Sequence, residues 1–199
     1  MMVCILARWQ PGIGDPGWRG WATVLLYLAA MVIAWRASRA TFPPATRLRE
    51  RSFWMLTALI LGFLAVNKQL DLQSALTALG RCMAHAQGWY GQRRLVQVAF
   101  LAGLAIAGVV FVAALLHLLR GSWPRSALPV IGLVFVCTFV LMRAAGFHHM
   151  DRILGVPLLR LRANNVLEWT GPILIMLGAL RVSYQRGRPV HHHTDRVLP

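Results

Sequence analysis

Residues 95–119 read LVQVAFLAGLAIAGVVFVAALLHLL, an apolar stretch that contains no Asp, Glu, Lys or Arg. A helix needs about 20 such residues to cross the hydrocarbon core of a bilayer. The stretch is therefore predicted to be a transmembrane helix. The whole chain of 199 residues shares this character, because 57% of its residues are hydrophobic and only 14% are charged. This composition excludes a disordered chain, a small secreted disulfide-rich domain and an ordinary cytosolic enzyme.

Four further apolar runs flank this stretch, so the sequence predicts an all-α, polytopic transmembrane helix bundle of about five spans. The predicted spans are residues 18–35, 53–70, 95–119, 127–142 and 166–180. They form one transmembrane domain over residues 1–185, and residues 186–199 are expected to be a flexible basic tail. The segment 72–88 between spans two and three is predicted to be an amphipathic helix at the membrane interface. Its apolar face is expected to carry Leu72, Leu76, Leu79 and Met83.

The charge of the chain is strongly basic, with 21 Lys+Arg against 6 Asp+Glu and a formal net charge of +15. The arginines lie in short stretches between apolar runs, whereas nucleic-acid binders usually cluster their charge on a polar fold. We therefore expect these arginines to face a bilayer with anionic headgroups, and we expect no nucleic-acid partner. The segment 36–51 is short and rich in arginine, which predicts a cytoplasmic loop. The N-terminus is then outside and the C-terminus cytoplasmic.

Three strings in the chain resemble a known group of proteins. They are NKQLD at 67–71, QGWY at 87–90 followed by Arg93 and Arg94, and LEW at 167–169. Together they are similar to a family of small multi-span bacterial inner-membrane proteins to which no activity is assigned, over roughly residues 53–180. The resemblance implies a multi-pass protein of the bacterial inner membrane, and it implies no reaction.

Three of the six acidic residues, together with His85, His148 and His149, gather at one predicted membrane face, the outer ends of spans two, four and five. An ionisable side chain at membrane depth is costly and is read as functional by default. The candidate catalytic residues are Asp71, His148, Asp151 and Glu168. The residues expected to bind a substrate or headgroup are Asn67, Lys68, Arg93, Arg94, Arg143 and Asn165.

A divalent metal is one cofactor that these residues could bind. His148 and Asp151 share a helical face, and imidazole and carboxylate are ordinary ligands of zinc and iron. The set would be completed by Glu168 and His85. The alternative is that the histidines are amphipathic residues at the interface and that Asp151 pairs with a neighbouring arginine.

Structural roles compete with these functional ones. Lys68 and Asp71 could pair on one helical face, and Asn165 with Glu168 resembles a capping box at a helix start. Pro172 cannot donate to the carbonyl of Glu168, which leaves that oxygen for a bound cation or a substrate hydroxyl.

Small residues recur every four positions in the third span, at Ala99, Gly103 and Ala107. Such a stripe allows close helix approach. We favour a contact inside the bundle, and the alternatives are a homodimer seam or a membrane protein partner.

A disulfide between Cys4 and Cys82 is possible if both residues face an oxidising compartment.

Three functions fit these observations. The favoured one is a binding, assembly or accessory subunit with a polar pocket at the outer face. The second is an intramembrane, metal-assisted hydrolase or transferase acting on lipid-linked or amphiphilic substrates. The third is a small transporter or proton relay, which the absence of inverted repeats disfavours.

Overall fold

The computed structural model describes residues 2–7, 9, 12–14, 16–88, 90–144 and 157–185, and within these ranges every long element is a helix. Five helices are long and apolar enough to cross a membrane, which confirms the predicted polytopic bundle. The predicted basic tail, residues 186–199, lies outside the described part of the chain. The helices are α1 (Met2–Leu6), α2 (Trp18–Ser38), α3 (Arg47–Leu70), α4 (Leu72–Ala86), α5 (Arg93–Leu118), α6 (Trp123–Ala144) and α7 (Pro157–Gln185), with a short 3₁₀ turn at Tyr90–Gln92.

The spanning helices alternate in direction, so the bundle has two ends. We call the end that carries Lys68 the Lys68 end, and the opposite end, which carries Glu50, the Glu50 end. The Lys68 end holds the starts of α2, α5 and α7 and the last turns of α3 and α6. The segment 2–16 precedes α2 and therefore belongs to the Lys68 end as well.

The core lies among four of the five spans. Helix α2 packs against α3 and α7, and α6 packs against α7. The α2 side of this core is a stripe of small residues, Ala30, Ala34 and Ala37, all fully buried. Such residues let two helix backbones approach closely, which supplies packing energy where lipid offers no hydrophobic driving force. The large side chains Phe53, Trp54, Leu61, Leu133 and Ile175 fill the space around this stripe.

Helix α5 reaches this core only near its C-terminal end, through Leu115. In its most apolar window only 6% of the residues are buried, against 33–39% in the other four spans. Ala99, Gly103 and Ala107 are exposed, and a Cβ added at Gly103 would meet no described atom within 4 Å. No element in the described part of the chain packs on this stripe, so the predicted contact inside the bundle is not found there.

Two helix boundaries differ from the sequence prediction. Helix α3 begins at Arg47 and includes Glu50, which is only 1% exposed although its position suggests a loop. Helix α7 begins at Pro157, well before the predicted start at residue 166. Asn165 therefore lies in the helix interior, where it cannot cap the helix start. The predicted capping box between Asn165 and Glu168 is wrong, because the helix continues past both residues.

The amphipathic helix α4 follows α3 with only Asp71 between them. Its buried residues are Ala78, Cys82 and Ala84, whereas Leu76 on the predicted apolar face is 55% exposed. The reason is that α1 packs on α4 and the disulfide between Cys4 and Cys82 joins the two. The disulfide between Cys4 and Cys82, which the sequence allowed but did not require, is therefore present.

Candidate functional site

A buried ion pair joins the ends of two spans at the Lys68 end. Lys68 of α3 places its Nζ 3.0 Å from Oε1 and 3.2 Å from Oε2 of Glu168 on α7. The two side chains are only 9% and 4% exposed. Both lie close to the ends of their spans, which reach to Leu70 and begin at Val166. Two opposite charges buried together avoid the cost that either would carry alone.

A small cavity of about 40 Å³ adjoins this ion pair. Its polar lining comes from Asn67, Lys68, Asp71 and Glu168, together with the ring of Tyr27 from α2. Leu64, Phe139 and Val140 close its apolar side. Asn67 lies one helical turn before Asp71, which is why these two side chains reach the same space. Four residues that the sequence selected are thus brought together around one hollow.

Asp71 has a backbone conformation that is unusual for its residue type. Its φ and ψ are 45° and 51°, in the left-handed region, and it is the only described residue other than glycine with a positive φ. Glycine or asparagine is the ordinary choice where a helix ends in this conformation. The carboxylate accepts a hydrogen bond of 2.6 Å from the Ser74 hydroxyl, which fixes its orientation. A strained position that also lines a cavity is a sign of function.

The residues before α2 cross over the α3–α4 corner. Gly14 donates its N–H to the Gln69 carbonyl at 2.7 Å, and Trp9 donates its Nε1–H to the Leu70 carbonyl at 3.3 Å. These carbonyls belong to the last turn of α3, where a helix leaves its oxygens without intrahelical partners. A Cβ at Gly14 would lie 3.1 Å from the Cβ of Asp71. This N-terminal strap, described at residues 2–7, 9, 12–14 and 16, is tied to α4 by the Cys4–Cys82 disulfide.

A second contact sets the start of α7 against α2. Trp169, next to Glu168, donates its indole N–H to the Thr23 hydroxyl at 2.8 Å, and Thr23 donates to the Arg19 carbonyl at 2.9 Å. The Trp169 bond fixes the rotation of α7 about its axis. That rotation directs Glu168 towards Lys68. The sequence offers no signal for this pairing, because Trp169 and Thr23 are 146 positions apart.

The remaining predicted site residues are placed less completely. Arg93 and Arg94 begin α5 and Arg143 is near the end of α6, so the backbone puts all three at the Lys68 end, but their side chains lie outside the described residues. The side chain of Asn165 does so too. His148 and Asp151 lie wholly outside the described residues.

The metal prediction gains no support from the side chains that are described. Both oxygens of Glu168 contact the Lys68 ammonium. His85 stacks on Tyr90 with ring centroids 3.9 Å apart. Among the described residues, no three His, Cys, Asp or Glu side chains come together as a metal site. The metal-assisted enzyme and the transporter stay predictions.

A second buried carboxylate lies at the Glu50 end and was missed by the sequence analysis. Oε1 of Glu50 accepts from the Thr46 hydroxyl at 2.7 Å and lies 3.3 Å from Nη2 of Arg125 on α6. Its Oε2 is buried without a hydrogen-bond partner in the described structure. The Thr46–Glu50 spacing at the start of α3 was the available sequence signal.

Comparison with protein-family models, with curated proteins and with solved structures finds no significant match to this chain. The candidate site is therefore defined by its own geometry: a buried ion pair, a small cavity and a strained carboxylate at one end of a transmembrane bundle.

Proposed function

We propose that this protein is a binding subunit of the bacterial inner membrane, and that its cavity at the Lys68 end accepts the ammonium end of an amphiphilic molecule. The observation that carries the proposal is Asp71, a carboxylate held in a left-handed conformation at the wall of a cavity beside a buried ion pair. Strain of this kind persists only where the surrounding structure enforces it.

The charges around the cavity favour a cationic group. Among the described side chains of the cavity wall, Lys68 pairs with Glu168, and Asp71 supplies a further carboxylate. A cation near Asp71 would balance the charge of these described groups. Asn67 supplies an amide oxygen on the same side. An ammonium group donates three hydrogen bonds, so it suits a wall of carboxylate and amide oxygens.

The size of the cavity limits what can enter. Its volume of about 40 Å³ admits a small group, because a cavity needs about 10–15 Å³ of such volume to hold one water molecule. A primary ammonium can donate hydrogen bonds to the oxygens of the wall, whereas a trimethylammonium is bulkier and carries no N–H donor. The apolar remainder of the ligand would stay in the bilayer. This difference separates phosphatidylethanolamine from phosphatidylcholine, which share their phosphate and acyl chains.

The test compares the protein in nanodiscs of phosphatidylcholine with and without added phosphatidylethanolamine of matched acyl chains. We expect the ethanolamine lipid to raise the thermal unfolding temperature of the native protein. Asp71→Asn, which keeps a residue that tolerates the left-handed conformation, is expected to remove this increase without lowering stability in pure phosphatidylcholine.

A lipid effect of equal size in Asp71→Asn would contradict the proposal, and so would an equal response of the native protein to both lipids. Ser74→Ala is a graded control. It removes one hydrogen bond to Asp71 but leaves the carboxylate, so it is expected to weaken the response and not abolish it.

The orientation that we propose places the Lys68 end and the N-terminus outside, and the Glu50 end and the C-terminus in the cytoplasm. Two features support it. The arginine-rich loop 36–51 fits a cytoplasmic segment, and the Cys4–Cys82 disulfide at the other end fits an oxidising compartment. A topology reporter inserted at Thr41 is expected to read as cytoplasmic, and an external reading would reverse the assignment.

A role in assembly is a second candidate, and the exposure of α5 favours it. We infer that another transmembrane helix, from a second copy or from another membrane protein, packs on Ala99, Gly103 and Ala107. Small residues facing lipid leave shallow hollows, whereas a second helix fills them. Gly103→Cys is expected to give a cross-linked species in native membranes, with Val98→Cys, at an exposed position on a different face of α5, as the matched control. Equal cross-linking at both positions would contradict this candidate.

A further inference from the structure

A groove between α5 and α6 lies in the half of the bundle nearer the Glu50 end. Its volume is about 340 Å³. Helix α5 contributes Val112 and Leu116, and α6 contributes the rest of the lining, which is almost entirely apolar. The α6 residues are Trp123, Val130, Ile131, Val134, Phe135 and Thr138. Both walls belong to membrane spans, so the groove opens at the depth of lipid acyl chains.

The groove exists because α5 approaches α6 closely at two levels and separates from it between them. At one level Gly108 lies against Leu141, where a Cβ on the glycine would be 3.2 Å from a leucine methyl. At the other level the short turn 119–122 joins the two helices directly. An apolar groove of this size is unfavourable for water, and the bilayer supplies hydrocarbon chains to fill it.

The turn that joins the two walls is basic. Arg120 lies within it and is exposed, whereas Arg125, one turn into α6, is paired with the buried Glu50 and keeps one-third of its side chain exposed. Trp123 lines the groove between them, in the position at which tryptophan meets lipid headgroups. Gly121 of this turn lies next to Thr46, which brings the first turn of α3 with Arg47 to the same place. Each basic residue near the surface attracts an anionic lipid by about 1 kcal/mol.

We infer that this groove is a binding site for one anionic phospholipid, with an acyl chain between α5 and α6 and the phosphate at Arg120. The charge of the turn selects the headgroup, and the apolar groove holds the chain. The site is independent of the proposed ammonium site, because it lies at the opposite end of the bundle. At this groove the protein would select one lipid by its headgroup, whereas the rest of its membrane-facing surface contacts lipids of any headgroup.

The experiment is native mass spectrometry of the full chain released from nanodiscs that contain phosphatidylcholine and phosphatidylglycerol of matched acyl chains. We expect one phosphatidylglycerol to be retained in preference to phosphatidylcholine. Arg120→Gln is expected to reduce that preference by about fivefold, which corresponds to the loss of about 1 kcal/mol. Arg36→Gln, an exposed arginine at the same end on α2, is the matched control and is expected to leave it unchanged.

A groove-filling variant tests the acyl chain. Ile131→Trp changes a lining residue that is 54% exposed, so the protein is expected to fold, and retention of both lipids is expected to fall. Leu116→Trp, at 44% exposed, fills the groove from the other wall and serves if the first variant does not fold. Equal retention of the two lipids by the native protein would overturn the inference. The inference would also be overturned if the Arg120→Gln variant kept the preference for phosphatidylglycerol, or if the groove-filling variants retained the lipids as the native protein does. Asp71→Asn is expected to leave phosphatidylglycerol retention intact, which separates this site from the other.

Discussion

Gly171 of α7 lies directly against α6: a Cβ added to it would fall 2.4 Å from Cγ2 of Val136 and 3.0 Å from the Gly132 carbonyl oxygen. The reciprocal position is equally tight, since a Cβ on Gly132 would be 2.8 Å from the Gly171 carbonyl oxygen. The backbones of α6 and α7 therefore touch at this pair of glycines. Nearby, Pro129 fills the space above Gly178.

Adding a side chain at this crossing should separate the two helices. Gly171→Ala is expected to lower the free energy of unfolding by about 1–3 kcal/mol, a usual cost of overpacking. The matched control is Gly103→Ala on α5, where the added Cβ meets no described atom and helix propensity improves. Unfolding in a detergent titration measures both. Equal effects of the two substitutions would contradict the close approach of α6 and α7.

The Lys68–Glu168 pair should show strong coupling. Lys68→Met or Glu168→Leu alone leaves a buried charge without its partner and is expected to cost about 3–5 kcal/mol. The double variant replaces the pair by apolar side chains of similar size and is expected to be near the native protein in stability. A double-mutant cycle of unfolding free energies checks this expectation. Additive losses would show that the two charges do not stabilise one another.

The strain at Asp71 can be separated from its chemistry. Asp71→Gly removes the penalty of a left-handed conformation, about 1–2 kcal/mol, while it gives up the hydrogen bond from Ser74. We expect stability in phosphatidylcholine nanodiscs to be unchanged or higher than in the native protein. The stabilisation by phosphatidylethanolamine is expected to disappear. A variant that is less stable and still responds to that lipid would contradict both statements.

The disulfide should hold the N-terminal strap in place. It closes a loop across a sequence separation of 78, and such a cross-link typically contributes about 2–4 kcal/mol. In the double variant Cys4→Ser, Cys82→Ser we expect the strap to detach while the spans remain folded. Hydrogen exchange at the Gly14 amide, which donates to Gln69, is expected to accelerate. Unchanged exchange at Gly14 would show that the strap is held by its hydrogen bonds alone.

The sequence predicted the helical class and the five spans because apolar length is a strong signal in a membrane protein. It also selected Asn67, Lys68, Asp71 and Glu168, since ionisable residues in an apolar chain are few. It could not assign the partner of Lys68. Asp71 is three positions away and on the same helical face, whereas Glu168 is 100 positions away and reaches Lys68 only through the packing of α7.

Small residues were the least reliable signal. The stripe in α5 has the regular spacing of a packing motif and is exposed, while the contacts that hold the core use Ala30, Ala34 and Ala37 in α2 and the glycines of α6 and α7. Spacing alone gives the face on which small residues lie. It does not say which neighbouring helix, if any, meets that face, because this depends on the arrangement of the whole bundle.

Helix α3 is attached by an ion pair near each of its ends, through Glu50 to α6 and through Lys68 to α7. Sliding α3 along its own axis by even one residue, about 1.5 Å, would stretch both contacts at once. Helices α3, α6 and α7 are therefore expected to move as one body, so that a displacement of any of them is carried to the other two.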